Sequence, residues 1–276
     1  MRSALLQLSS TDDPAENLAI TAARIDAAVA EGAGFVLTPE VTNCVSASRT
    51  RQQAVLQQEK DDITLAGLRD LAARRGIWLS IGSLALKTGA ADGRFVNRSF
   101  LIGPAGDIVA RYDKIHMFDV QVSETETYRE SAGFRPGTAA VVAETPFATL
   151  GLSICYDLRF PQLYRALAHA GAEVLLVPSA FSPVTGAAHW QPLLRARAIE
   201  SGAWVLAAAQ CGTHDAVRGK QRTTYGHSMA VAPWGEILAE AGEAPEVLWV
   251  DLSREAVDKA RERVPSLTHD RDFTGP

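Results

Sequence analysis

Cysteine is scarce in this chain, with three in 276 residues, and Cys44, Cys155 and Cys211 lie far apart with no Cys-x-x-Cys pair. An odd, scattered set argues against a disulfide framework and lacks the spacing of a zinc site. Charge of one sign is also short. The formal net charge is −5, and no run of Lys or Arg marks a surface for nucleic acid or membrane. No apolar segment reaches membrane-spanning length, and the opening MRSALLQLSSTDDP has too short an apolar run for a secretory signal, so a cytoplasmic protein is expected. His-Glu-x-x-His, the phosphate loop and Gly-x-Gly-x-x-Gly are missing, which leaves metal, nucleotide and dinucleotide chemistry without a motif. Neither a short-period repeat nor a Gly/Ser/Pro-rich linker divides the sequence, so one domain spanning 1–276 is expected, with a small molecule as its partner.

What is present is an alternation of short apolar runs and helical stripes, the pattern of an α/β protein. The stretch TLGLSICYDLRFPQLYRALAHAG, 149–171, organises the rest. Its apolar run ends at Cys155; Phe160, Leu163, Tyr164, Leu167 and Ala168 then share a helical face, with Pro161 suited to the first turn and Gly171 to the stop. A second apolar run, 172–178, follows. The unit is strand, helix, strand, and it leaves Cys155 at a sheet edge. Helix-start N–H groups there would favour a thiolate or hold an oxyanion. A small core thiol is the ordinary alternative, and packing is the expected role of Cys44 and Cys211.

Earlier segments repeat this arrangement. After an opening strand over 4–8, Thr11, Asp12 or Asp13 can cap a helix that begins at Pro14, stops at Gly32 and carries a stripe of Leu18, Ala22, Ile25 and Val29. The apolar run 34–38 then delivers Glu40. Residues 41–62 read as a flexible loop with some helix, 64–76 as a helix, and 77–86 and 96–102 as strands. The following strand ends in Arg111-Tyr112-Asp113-Lys114-Ile115-His116, which puts Lys114 at a third strand end. A long irregular loop, 116–137, contains Glu130. A helix over 189–202 turns Trp190, Leu193, Leu194, Ala198 and Ile199 inward. Strands over 203–209, 229–232 and 246–252 and a charged helix, 254–263, precede a tail, 264–276, expected at the surface or on a partner subunit. A solvated carboxylate and a snorkelled ammonium are the ordinary alternatives for Glu40 and Lys114.

If one sheet edge collects these groups, amide cleavage assigns their roles. Cys155 attacks the carbonyl carbon, Glu40 takes its proton and passes one to the leaving nitrogen, and Lys114 with the Tyr156 backbone N–H holds the oxyanion. No metal or organic cofactor is required. Two rivals compete. Gly226-His227-Ser228-Met229-Ala230 resembles a Gly-x-Ser-x-Gly turn without its closing glycine, and His189, His214 or His227 could pair with Cys155.

Together, Pro39-Glu40, Tyr112-Asp113-Lys114-Ile115-His116 and Ile154-Cys155-Tyr156-Asp157-Leu158-Arg159-Phe160-Pro161 resemble the nitrilase superfamily of carbon–nitrogen hydrolases, over nearly the whole chain. The resemblance implies a four-layer α-β-β-α sandwich, a homodimer, and the catalytic set Glu40, Lys114 and Cys155, with Glu130 ordering the lysine. Glu40-Val41-Thr42-Asn43-Cys44, Lys114-Ile115-His116-Met117-Phe118-Asp119 and Tyr225-Gly226-His227-Ser228-Met229 are similar to the branch that hydrolyses deaminated glutathione to 2-oxoglutarate and cysteinylglycine. Arg159 then matches a carboxylate-binding arginine, and Phe181 and Thr185 match pocket-lining positions. An ω-amidase acting on 2-oxoglutaramate, a carbamoyl-amide hydrolase, a nitrilase and a non-catalytic interaction protein on the same fold are the alternatives.

Overall fold

The computed structural model describes residues 1–122, 124 and 126–275. Ser123 and Thr125 of the expected 116–137 loop, and Pro276 of the expected tail, lie outside the described residues. The first half of the chain supplies β1 (Arg2–Leu6), α1 (Pro14–Ala30), β2 (Phe35–Leu37), α2 (Arg49–Val55), α3 (Ile63–Arg75), β3 (Trp78–Lys87), β4 (Phe95–Ile102) and β5 (Ile108–Asp113). A small hairpin of β6 (Asp119–Gln121) and β7 (Thr127–Arg129) follows. The second half supplies β8 (Val141–Glu144), β9 (Thr149–Leu152), α4 (Pro161–His169), β10 (Val174–Leu176), α5 (Pro183–Ser201), β11 (Trp204–Ala207), β12 (Cys211–His214) and β13 (Arg222–Tyr225). It closes with β14 (Met229–Val231), β15 (Ile237–Glu240), β16 (Val247–Asp251) and α6 (Arg254–Arg263).

Two six-stranded sheets form, ordered β16-β1-β2-β3-β4-β5 and β15-β14-β11-β10-β9-β8. Each contains a parallel trio, β1-β2-β3 and β9-β10-β11. Parallel strands are covered on both faces, and the period-2 alternation shows by what. Ala4, Leu6 and Val36 pack with Leu65, Leu68 and Leu71 of α3 and Ile25 of α1. Leu5, Phe35 and Leu37 point the other way, into one core with Leu150, Leu152 and Leu176, which continues to Tyr164 and Trp190 on α4 and α5. The result is the layered α-β-β-α sandwich.

Local chemistry sets the helix ends. The Asp13 carboxylate caps α1 by accepting from the N–H groups of Ala15 and Glu16, Pro14 fills the first turn, and Gly76 closes α3 in the left-handed region at φ 63°. Three expectations change. The buried line of α1 is Asn17, Thr21, Ile25 and Ala28, with Leu18, Ala22 and Val29 half-buried, because Asn17 is tied inward by bonds to Thr11 and to Asn43 O. Residues 41–46 are buried and ordered against Leu56 and Phe95 rather than forming a flexible loop. α5 begins at Pro183, well before His189, and its Ile199 is 55% exposed. The tail turns back over α4, where Arg165 bonds Ser266 O at 2.8 Å and pairs with Asp270.

The sheets come into close contact at Gly82, beside a register shift in β3. A Cβ there would lie 2.0 Å from Thr38 O, just past β2, and 2.5 Å from Pro178 Cβ, just past β10. Only glycine lets these strand ends approach. Gly82→Ala should therefore cost more than about 3 kcal/mol, since backbone must move, and thermal unfolding should fall by roughly 6 °C or more.

Candidate active site

Of the strand ends that meet at Gly82, that of β2 carries Glu40, and the ends of β5 and β9 carry Lys114 and Cys155. Glu40 follows β2 and is 3% exposed. Its Oε1 accepts from Lys114 Nζ at 2.9 Å and Asn97 Nδ2 at 2.8 Å, and its Oε2 from the Ala180 N–H at 2.8 Å. Lys114 follows β5, is 2% exposed, and donates to both Glu130 oxygens at 2.9 Å. Glu130 Oε2 also accepts the Phe118 N–H at 2.6 Å. Asn97 braces both partners, since its backbone oxygen accepts the Lys114 N–H at 3.0 Å.

Cys155 is buried after β9 and opens a 3₁₀ turn, Cys155–Arg159. Its φ is +50°, and that of Val41, beside Glu40, is +48°; both non-glycine residues occupy the left-handed region, where strain is held by surrounding contacts. At Cys155 the restraint is visible. Its N–H donates to Pro178 O at 2.9 Å. Fully buried Asp157 accepts from the Ile154 N–H at 2.8 Å and the Tyr112 hydroxyl at 2.7 Å, and its other oxygen accepts the His116 N–H at 3.0 Å and meets His116 Nδ1 at 2.7 Å. Tyr112 and His116 flank Lys114 in sequence, so Asp157 fastens the cysteine turn to the lysine strand. The Tyr156 N–H, next to Cys155, donates to no protein acceptor among the described residues.

Burial pushes the Cys155 thiol well above its ordinary value, and Glu40 adds to the rise; Lys114 opposes it without prevailing. The helix-start N–H groups expected to favour a thiolate are outweighed, so the thiol is neutral and needs a base. Burial alone would raise Glu40, but Lys114, and behind it Arg222, hold its carboxyl below the ordinary range. Burial likewise works against the Lys114 ammonium, and Glu130 and Glu40 overcome it, keeping the lysine charged.

Arg159 stands at the end of the cysteine turn, its guanidinium 5.7 Å from the Phe181 ring and 5.9 Å from that of Tyr156, with Nη2 3.2 Å from His189. Among the described residues it has no carboxylate partner. Phe181 is buried against Trp190. Thr185, in the first turn of α5, directs its hydroxyl back toward Ser182 O at 3.5 Å. The rival groups are engaged elsewhere. Ser228 is fully buried and accepts the Ala209 N–H. His214 is held between Ser10 O and Thr224, and burial lowers its pKa to about 4. His227 stacks on Tyr225 and faces Glu240. Burial raises Cys44 to about 12 and Cys211 to about 11, as inert core thiols. Reading the sequence missed Asn97, Asp157 and the Ala180 N–H; Asn97, polar inside the apolar run of β4, and Asp157, two residues after the cysteine, were the signals available.

A sandwich that gathers a thiol, an ammonium and two carboxylates where strand ends of its two sheets meet defines the class, a hydrolase of carbon–nitrogen bonds. The carbon–nitrogen hydrolase family pattern matches residues 2–262. A deaminated glutathione amidase from Yersinia enterocolitica is 41% identical over 270 residues, 97% of this chain and 92% of its own. Among solved structures, the NitFhit protein of C. elegans aligns at TM-score 0.89 and 35% identity, covering 98% of this chain and 65% of that one. A variant of the amidase from Nesterenkonia sp. AN1, with acrylamide added to its active-site cysteine, aligns at TM-score 0.77 and 29% identity, covering 96% of this chain and 98% of that one. The chain belongs to the carbon–nitrogen hydrolase family of the nitrilase superfamily. Among the described residues no helix is long and apolar enough to cross a membrane.

Two substitutions test these contacts. Asp157→Asn offers one acceptor oxygen where four groups now converge, so the cysteine turn should loosen, with kcat falling roughly a hundredfold at a stability cost of about 1–3 kcal/mol. Lys114→Met leaves the buried Glu40 and the half-buried Glu130 without their cation, and should cost about 3–5 kcal/mol at neutral pH in urea unfolding. Without Lys114 the folded-state pKa of Glu40 moves up instead of down, so folding of the variant takes up a proton as pH falls. Its deficit against wild type should shrink as pH approaches 4.5, the ordinary glutamate value.

Proposed function

We propose that the protein is a cysteine amidase that cleaves a linear, carboxylate-bearing amide through a Cys155 thioester, with deaminated glutathione as its substrate and 2-oxoglutarate and cysteinylglycine as its products. The observation that carries this reading is the Lys114 ammonium bridging Glu40 and Glu130 beside a neutral, buried Cys155. Glu40 removes the thiol proton as sulfur attacks the amide carbon. Negative charge then develops on the carbonyl oxygen, where Lys114 and the free Tyr156 N–H oppose it. Glu40 returns the proton to the leaving nitrogen, the amine departs, and water activated by Glu40 releases the acid and the thiol. Every group in this sequence belongs to the chain.

Arg159, without a carboxylate of its own, fits the α-keto acid end of the acyl chain by a bidentate contact, with Phe181 and Thr185 bordering it. The name carried by the relative from Yersinia enterocolitica supports the same substrate. Exposed Ile199, Trp234, Leu238 and Val264 offer an apolar face for a homodimer, and three free cysteines suit the reducing cytoplasm.

The test is 2-oxoglutarate release from deaminated glutathione and from 2-oxoglutaramate by wild type and Cys155→Ala. Wild type should prefer the tripeptide analogue, and the substitution should remove turnover by at least roughly 10⁴-fold while leaving the fold intact. Preference for 2-oxoglutaramate would make the protein an ω-amidase. Turnover of neither, with no acyl adduct on Cys155 by mass spectrometry, would favour a non-catalytic role.

A further inference from the structure

A second half-buried arginine stands beside the reacting groups with no assigned task. Arg222 opens β13 and donates from Nη2 to the Ala180 oxygen at 2.7 Å, while the N–H of that same residue holds Glu40 Oε2 at 2.8 Å. One residue of backbone thus separates the guanidinium from the carboxylate. Arg222 makes no ion pair among the described residues, although eighteen Lys, Arg and His pairings elsewhere show that carboxylates are not scarce. Its charge is felt at Glu40, and also at Tyr128. Two residues on from Ala180, the buried Ser182 hydroxyl has no hydrogen-bond partner among the described residues.

The direction of the chemistry says which part of a substrate would lie here. Glu40 must hand a proton to the leaving nitrogen, so the leaving group departs on the Glu40 side, while Arg159 lies at the end of the cysteine turn against Phe181 and Tyr156. Two unpaired guanidinium groups, presented by different elements, suit a substrate with a carboxylate at each end. A leaving dipeptide spans roughly 7 Å when extended, which sets its terminal carboxylate well away from the reacting carbon. A primary amide releases only ammonia and has nothing to place there.

We propose that Arg222 binds the terminal carboxylate of the leaving dipeptide, with the Ser182 hydroxyl as a second donor, and thereby selects peptide-extended amides over primary ones. This rests on the substrate reading above and adds a leaving-group site to it. Arg222 is a binding residue for the amine half of the substrate, complementary to Arg159 for the acyl half.

The experiment compares deaminated glutathione, its C-terminal glycinamide and 2-oxoglutaramate with wild type, Arg222→Gln and Arg222→Lys, each checked for folding by circular dichroism. For Arg222→Gln, kcat/KM on deaminated glutathione should fall roughly tenfold to a hundredfold further than on the other two substrates, mainly through KM. Arg222→Lys should recover part of the loss, and the glycinamide should be a poor substrate for wild type. Equal losses on all three substrates, with a displaced acid limb of the pH profile, would overturn the proposal in favour of Arg222 acting through Glu40. A wild-type preference for deaminated glutathione that survives Arg222→Gln would overturn the assignment of Arg222 alone. A wild type that ignores deaminated glutathione would overturn the substrate reading and the leaving-group site with it.

Discussion

One buried ammonium between two carboxylates is the constraint around which the rest of the molecule is arranged. At 2.9 Å each Lys114 contact is worth about 6 kcal/mol of raw attraction at an effective dielectric near 20, while desolvating the ions costs several kcal/mol apiece. The balance is close, and apolar residues would serve stability as well. The set persists only because its remaining oxygen valences are filled, by Asn97 from β4, by the N–H of Ala180 past β10 and by the N–H of Phe118 ahead of β6. Those donors come from both sheets. The sandwich must therefore close, with its strand ends in contact at Gly82, before the ion set is satisfied.

The same closure determines the state of Cys155, the proposed nucleophile. A cysteine at a helix start is expected to lean toward thiolate, but here it shares a dry site with Glu40, and burial dominates. A neutral thiol is the chemically useful outcome. It keeps the sulfur unreactive until a carbonyl is in place, and it leaves Glu40 ionised and able to accept the proton. Asp157 supplies geometry, fixing the left-handed Cys155 backbone to the two residues that flank Lys114.

Much of this was legible in the residues. Asp13 with Pro14, and Gly76, mark helix ends because capping chemistry is local, and Glu40, Lys114 and Cys155 declare themselves as ionisable groups terminating apolar runs. The fold class follows from alternation, which is also local. What escaped was cooperative across the two sheets. The stripe of α1 was turned by Asn17 reaching Asn43, the start of α5 was hidden by Gly186 and Pro192, and the thiol's pKa was raised by burial in the closed site, with a carboxylate far away in sequence adding to the rise. Asn97 and Asp157 were visible only as polar residues where apolar ones fit better. Their partners could not be named without the structure.

Anchoring of the ammonium explains why the set contains a second carboxylate. With a neutral thiol, Glu40, Glu130 and Lys114 together carry one negative charge. In the proposed reaction, when Glu40 takes the thiol proton that charge does not leave the site; it passes to the developing oxyanion, and the total is unchanged. Were Lys114 paired with Glu40 alone, the ammonium would have to release its one carboxylate to meet the oxyanion. Glu130 anchors two of the three ammonium hydrogens throughout, leaving Lys114 positioned while its third contact is renegotiated between carboxylate and oxyanion. Little then moves during the reaction except a proton and the bonding pair of the sulfur, which is the condition under which a preorganised, low-dielectric site stabilises a transition state more than water can.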